Sequence, residues 1–172
     1  ALAMAMGHVI LKEFFVDRQT PYFTDYVTTY TALPYLVSLE QVADGVHKAG
    51  KFLTAADVPA HEDEENAAFK PLLMDARTGR PAVANGSLGH RYGDAGIGRW
   101  NLNLGDIDPL LSLMDSSGET ALVSMRRFDN PDGAANDMPR GVPVRSVGGR
   151  PGTAGVGLLL AQTGVGPAGR AG

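Results

Sequence analysis

The sequence predicts an α/β chain in which two N-terminal helices and a buried strand precede a β-hairpin and a loop-rich stretch. Three observations lead there. Tyr22, Phe23, Tyr26, Val27 and Tyr30 recur at helical spacing, the mark of a helix with one buried face. Tyr35-Leu36-Val37-Ser38-Leu39 is a short, almost continuous apolar run, suited to a strand covered on both sides. Phe69 to Met74 and Arg80 to Ala84 flank Asp75-Ala76-Arg77-Thr78-Gly79, two short runs joined by a glycine-containing loop, as in a hairpin.

The first element runs from Ala1 to Phe15 or Val16. Between Ala1 and Leu11 only His8 is neither apolar nor glycine, so this helix is apolar around its whole circumference and needs neighbours on every side. It has no preceding Ser, Thr, Asp or Asn to cap it and no initiator methionine, and the expectation is a chain that begins inside a helix of something larger. Asp17-Arg18-Gln19 forms the exit. Thr20 followed by Pro21 starts the second helix, a hydroxyl cap with proline at the first helical position, and Pro34 stops it. After the strand at Tyr35–Leu39 the character changes at Asp44-Gly45. Gly50 to Val58 reads as irregular or as a short helix beginning near Thr54, and His61-Glu62-Asp63-Glu64-Glu65 as an exposed acidic loop. Asn85-Gly86 is a turn pair, and Ser87 to Asn103 reads as a loop anchored by Tyr92 and Trp100. Ala121–Met125 is a strand candidate. Val142–Val147 is another, which Pro143 restricts to a sheet edge or a strand start. Asp129 to Arg140 is a linker, and Val156 to Gln162 a helix that its glycines weaken by about 1 kcal/mol per interior position.

These elements divide the chain into a helix–helix–strand part over 1–45, a hairpin and loop-rich insertion over 46–128, and a linker with a short strand and weak helix over 129–172. The 22 glycines and 11 prolines make up about a fifth of the residues, against a usual ~12%, and they concentrate after Asn130. A formal net charge of −4 repels a phosphate backbone, so nucleic acid is not an expected partner. Arg126-Arg127 and the scattered Arg140, Arg145 and Arg150 lack interleaved aromatics and read as solvated. With no cysteine there is no disulfide, thiolate zinc site, cysteine nucleophile or cysteine-ligated iron–sulfur cluster within these residues. Ala1–Leu11 lacks the basic flank of a signal peptide and is shorter than the ~20 residues that span a bilayer.

No residue is nominated as catalytic or as a metal ligand. His8, His47, His61 and His90 fall in no local ligand pattern. His61 beside Glu62–Glu65 could attract a hard cation weakly, and His8 could hydrogen-bond a neighbour or a buried cofactor from within its apolar helix. Gly93-Asp94-Ala95-Gly96-Ile97-Gly98 lacks the lysine and Ser/Thr of a phosphate loop and is a turn. Ser87, Ser112 and Ser124 lack a nucleophile elbow. Tyr22, Tyr26 and Tyr30 form a stripe that reads as helical core or interface packing.

Alongside these readings runs a family resemblance. Its blocks are Ala3-Met4-Ala5-Met6-Gly7-His8-Val9-Ile10-Leu11-Lys12-Glu13-Phe14, Tyr22-Phe23-Thr24-Asp25-Tyr26-Val27 with Tyr30-Thr31, Leu33-Pro34 and Leu36-Val37-Ser38-Leu39-Glu40. Gly50-Lys51-Phe52-Leu53-Thr54-Ala55-Ala56-Asp57, Asn85-Gly86-Ser87-Leu88-Gly89, Arg91-Tyr92-Gly93 and Gly98-Arg99-Trp100-Asn101-Leu102 continue it, followed by Gly141-Val142-Pro143-Val144-Arg145 and Leu158-Leu159-Leu160-Ala161-Gln162. In this order the blocks resemble the catalytic alpha subunit of respiratory, molybdenum-dependent nitrate reductase, of the molybdopterin oxidoreductase (DMSO reductase) superfamily. The resemblance implies an internal fragment, an incomplete part of that multidomain fold. Around Thr153–Gly157 the family is expected to carry bulkier residues than this chain does.

For the parent, the resemblance implies reduction of nitrate to nitrite at a molybdenum held by two molybdopterin guanine dinucleotides. It also implies a [4Fe-4S] cluster, an iron–sulfur beta subunit, a quinol-oxidising cytochrome b-type gamma subunit, and a place at the cytoplasmic face of the cell membrane. The metal and cluster ligands of the family fall outside this chain, so the fragment is expected to be scaffold, inactive alone and holding no cofactor. Two other readings remain open. One is a non-catalytic binding module that uses the aromatic loop near Trp100. The other is a metal-dependent hydrolase built around His61.

Overall fold

A computed structural model describes residues 2–18, 20–84, 104–113, 119–125 and 138–163. Helix α1 spans Leu2–Ile10 and passes directly into a π-helical stretch, Leu11–Asp17. The expected helix is therefore present, but its second half is wound more loosely than an α-helix. Helix α2 spans Pro21–Tyr30, with Pro21 in its first turn as expected. Thr20 makes no side-chain cap bond there. Its backbone carbonyl instead accepts Phe23 N–H at 3.0 Å and Thr24 N–H at 3.2 Å.

Strands β1 (Leu36–Ala43) and β2 (Val46–Phe52) pair antiparallel across Asp44-Gly45, with Ala43 opposite Val46 and Gly45 at a φ of +68°. Strand β1 extends beyond the expected run Tyr35–Leu39, and β2 lies where no strand is expected. Val46-His47-Lys48-Ala49-Gly50-Lys51-Phe52 has no apolar alternation, because no residue of β2 reaches full burial; pairing with its neighbours holds it. Thr54 then caps a 3-10 turn over Ala55–Asp57, where a short helix is expected. Strands β3 (Leu72–Met74) and β4 (Pro81–Val83) form the expected hairpin, with Leu72 opposite Val83 and Met74 opposite Pro81.

The remaining strands are β5 (Thr120–Met125), β6 (Met138–Pro143), β7 (Arg145–Val147) and β8 (Arg150–Ala154), and helix α3 spans Gly155–Thr163. The second sheet is six-stranded, ordered β6-β5-β2-β1-β8-β7. It is mixed, because β2 and β5 run parallel while its other pairs are antiparallel. Strands from the helix–strand part, the insertion and the C-terminal stretch thus share one sheet.

The expected strand at Val142–Val147 is two strands at opposite edges of this sheet, with Val144 alone between them. Two peptide steps separate Pro143 from Arg145 by at most ~7.6 Å, whereas the outer strands of a flat six-stranded sheet stand ~24 Å apart. The sheet therefore curls until its edges meet at this corner. Pro139 and Pro143 stand opposite Ser124 and Thr120. Proline has no N–H to offer a further strand on the unpaired side, which suits β6 to an edge.

The curl gives β1 two buried faces: Leu36 joins a core with Leu53, Leu72, Met74, Leu113, Val147 and Ala154, while Leu39 joins one with Val123, Met125, Val142, Val144 and Ala161. Leu11, Val27 and Leu111 pack on Val156 and Leu160 of α3. The glycines of α3 lower its helix propensity yet let it approach closely. A Cβ on Gly155 would lie 3.0 Å from Leu33 O, and one on Gly157 3.0 Å from Thr153 Oγ1.

Candidate functional site

The most connected polar group is Asp57, at the end of the turn that Thr54 opens. Its Oδ2 accepts Thr54 N–H at 2.9 Å and Thr54 Oγ1–H at 3.0 Å, and its Oδ1 lies 3.3 Å from both Lys51 Nζ and Arg150 Nη1. The Asp57 side chain is 9% exposed while those of Lys51 and Arg150 are about 60% exposed. Burial pushes the carboxyl up, but the Thr54 amide and hydroxyl and the Lys51 ammonium outweigh it and leave Asp57 below its ordinary 3.8. Asp57 thereby joins the end of β2 to the start of β8. The Thr54-x-x-Asp57 spacing of a capping box was the available sequence signal.

Asp75 organises the β3–β4 turn. It accepts Asp108 N–H at 3.0 Å, Thr78 Oγ1–H at 2.9 Å and Arg77 N–H at 3.3 Å. These donors, led by the Asp108 amide, hold its carboxyl below the ordinary value. Arg145 Nη1 donates to Gly79 O at 2.7 Å, tying β7 to the same turn. Sequence reasoning assigned Asp75 only to a loop and Arg145 to a solvated face.

The expected acidic loop is partly neutralised. His61 Nδ1 lies 2.6 Å from Glu64 Oε1, and Lys70 Nζ donates to Glu64 Oε2 at 3.0 Å. Lys70 first, and His61 with it, lower the Glu64 carboxyl. Glu62, Asp63 and Glu65 are exposed. His8 Nδ1 lies 3.0 Å from Thr163 O and links α1 to the end of α3. His47 Nδ1 is buried and has no hydrogen-bond partner.

Among the described residues no group of three or more His, Cys, Asp or Glu side chains could hold a metal ion. Asn85-Gly86, Ser87, His90, Tyr92, the Gly93–Gly98 turn, Trp100 and Arg126-Arg127 lie outside the described residues. The binding-module reading, which depends on Trp100, falls there too.

The apolar helix departs most from expectation. Every described residue of α1 is exposed or half-buried, and Leu2, Met6, Val9 and Ile10 are 77%, 58%, 51% and 44% exposed. Tyr22, Tyr26 and Tyr30 of α2 are also exposed, with the Tyr26 and Tyr30 rings 5.3 Å apart; the buried positions of α2 are Val27 and Thr28. The helical period of α2 is as the sequence predicts, but hydrophobicity specifies a need for burial and not a neighbour that meets it.

No protein-family model matches the chain. Individual proteins do. A nitrate reductase alpha subunit from Mycobacterium tuberculosis is 48% identical over 98% of this chain, and the matched stretch is 14% of that protein's length. A nitrate reductase alpha chain from Bacillus subtilis is 35% identical over 86% of the chain and 12% of its own length. A respiratory nitrate reductase 1 alpha chain from Escherichia coli is 42% identical over 74% of the chain and 10% of its own length. The chain thus spans about one seventh of the first of these relatives, which matches it nearly from end to end. Identity sustained through helices, hairpin and curled sheet places the chain in the nitrate reductase alpha subunit family, as a small part of that large subunit.

Proposed function

We propose that the chain serves as scaffold within the catalytic subunit of a respiratory nitrate reductase, an enzyme that reduces nitrate to nitrite with electrons from quinol. The observation that carries this reading is the 48% identity over 98% of the chain to a nitrate reductase alpha subunit. By the same family resemblance the whole enzyme works at a molybdenum bound by two molybdopterin guanine dinucleotides. It is fed through iron–sulfur clusters, including a [4Fe-4S] cluster, by an iron–sulfur beta subunit and a cytochrome b-type gamma subunit. The complex sits at the cytoplasmic face of the membrane.

No described residue is proposed as a ligand of the molybdenum or of a cluster. The chain has no cysteine, and its described acidic and histidine side chains do not converge on a common point. No catalytic step is assigned to them, and the segment alone is proposed to be inactive. Its contribution is shape: a curled sheet whose edges meet, a hairpin clamped by Asp75 and Arg145, and helices with apolar faces. No helix among the described residues is long and apolar enough to cross a membrane.

The test is nitrate-dependent oxidation of a reduced viologen by the full-length subunit that carries this sequence, purified with its cofactors. Turnover is expected. A cofactor-loaded preparation that leaves nitrate untouched removes the reading.

A further inference from the structure

We infer that Asp44 and Gly45, the turn between β1 and β2, form a site of spontaneous isomerisation at which Asp44 passes through a cyclic imide to a β-linked isoaspartyl residue. The reaction needs no enzyme and no co-reactant other than water. The Gly45 amide nitrogen bonds to Asp44 Cγ, and the hydroxyl of the protonated carboxyl leaves as water with the amide proton. Water then opens the five-membered ring. Attack at Cγ restores aspartate, whereas attack at the backbone carbonyl carbon leaves the main chain running through the former side chain. Mass is unchanged overall, and no electron is transferred.

The turn leaves both reacting groups uncommitted. Asp44 and Gly45 are exposed, and among the described residues neither the Asp44 carboxylate nor the Gly45 N–H has a hydrogen-bond partner. Gly45 has no side chain to crowd the approach, and its surroundings are open, since a Cβ there would meet nothing within 4 Å. Its φ of +68° is one that glycine adopts without steric cost. Other aspartates are followed by an amide that is already engaged. Val58 N–H, after Asp57, donates to Ala55 O at 3.2 Å; Glu64 N–H, after Asp63, to His61 O at 3.1 Å; and Ala76 N–H, after Asp75, to Asp108 O at 2.7 Å. Asp108 precedes Pro109, which has no N–H to react. Isomerisation adds a backbone carbon to a loop whose length sets the β1–β2 register, and so loosens the closing pair of Ala43 and Val46.

The experiment holds the full-length subunit that carries this sequence, folded with its cofactors, at neutral pH for several weeks, beside the same protein in urea. Digests taken at intervals are read by electron-transfer mass spectrometry, which separates the isoaspartyl form of the Asp44 peptide from its aspartyl isomer. Conversion at Asp44 in the folded subunit is expected within about tenfold of the rate in urea, because no opening step precedes attack. A slower rate overturns the site, whether a neighbour covers the turn or the fold holds it rigid. Equal conversion at Asp57 or Asp75 in the folded subunit also overturns it, by removing the selection. Asp132-Gly133 lies outside the described residues and is scored on its own peptide. Asp44→Asn gives a second measurement: the same ring closure releases ammonia, and isoaspartate at this position is expected to form faster than in the parent. An asparagine that stays intact there overturns the inference.

Discussion

Replacing Gly148 by alanine separates two costs that are usually confounded. Gly148 and Gly149 form the turn between β7 and β8, at φ of +57° and +78°. Both angles are left-handed, a region that costs an alanine about 1–2 kcal/mol. Their surroundings differ. A Cβ on Gly149 meets nothing within 4 Å, whereas one on Gly148 would overlap the backbone carbonyl oxygen of Asp57. That oxygen cannot retreat freely, because the Asp57 side chain is bonded to Thr54, Lys51 and Arg150. Moving it loosens a capping box, at about 0.5–2 kcal/mol. Gly149→Ala is therefore expected to cost about 1 kcal/mol and Gly148→Ala about 2–4 kcal/mol. At a few degrees per kcal/mol for a chain of this size, the second lowers Tm by roughly 5–15 °C. Thermal unfolding followed by circular dichroism, with the two variants side by side, measures the difference. Equal losses would refute the steric reasoning and leave only backbone strain.

Three further predictions concern charge and burial. Asp57 and Glu64 have carboxyls held below their ordinary 3.8 and 4.5, so their stabilisation is complete above those values and is lost as pH falls through the lower folded-state ones; urea titrations from pH 6 to pH 3 should show a smaller acid loss for Asp57→Asn than for the parent, and an unchanged slope would count against it. Burial raises the Tyr35 phenol to about 12 from 10.0, so the stability it protects is intact below pH 10 and declines as pH rises toward 12, where only the unfolded chain ionises readily; Tyr35→Phe should flatten that alkaline limb. The buried, unpartnered Nδ1 of His47 carries a desolvation cost of about 1–3 kcal/mol, so His47→Phe should be neutral or stabilising in chemical denaturation, and a loss above about 2 kcal/mol would indicate a partner for that nitrogen.

Some of the molecule could be read directly from residue order. The proline at the start of α2, the buried run of β1 and the β3–β4 hairpin are specified by neighbours a few positions apart, through steric limits on φ and through short-range pairing. The Asp44-Gly45 turn was equally local, and its two-residue hairpin signal could have revealed β2. Strand β8, Arg150-Pro151-Gly152-Thr153-Ala154, carried no such signal. Glycine and proline disfavour it, and only its place between β1 and β7 explains it. The helix at Gly155–Thr163 shows the reverse trade, with propensity given up so that backbone can approach Leu33 and Thr153.

By itself the sequence determined which family the chain resembles, that an apolar helix leads it, and that no cysteine chemistry resides in it. Only the tertiary structure decided that Val142–Val147 splits across opposite edges of one curled sheet, that Asp57 ties two strands of that sheet together while Asp75 holds the β3–β4 turn, and that the leading helix keeps an uncovered side. The reason is physical: dihedral preference and hydrophobic period act over a few residues, while sheet closure, carboxylate partners and burial depend on residues brought together from distant parts of the chain.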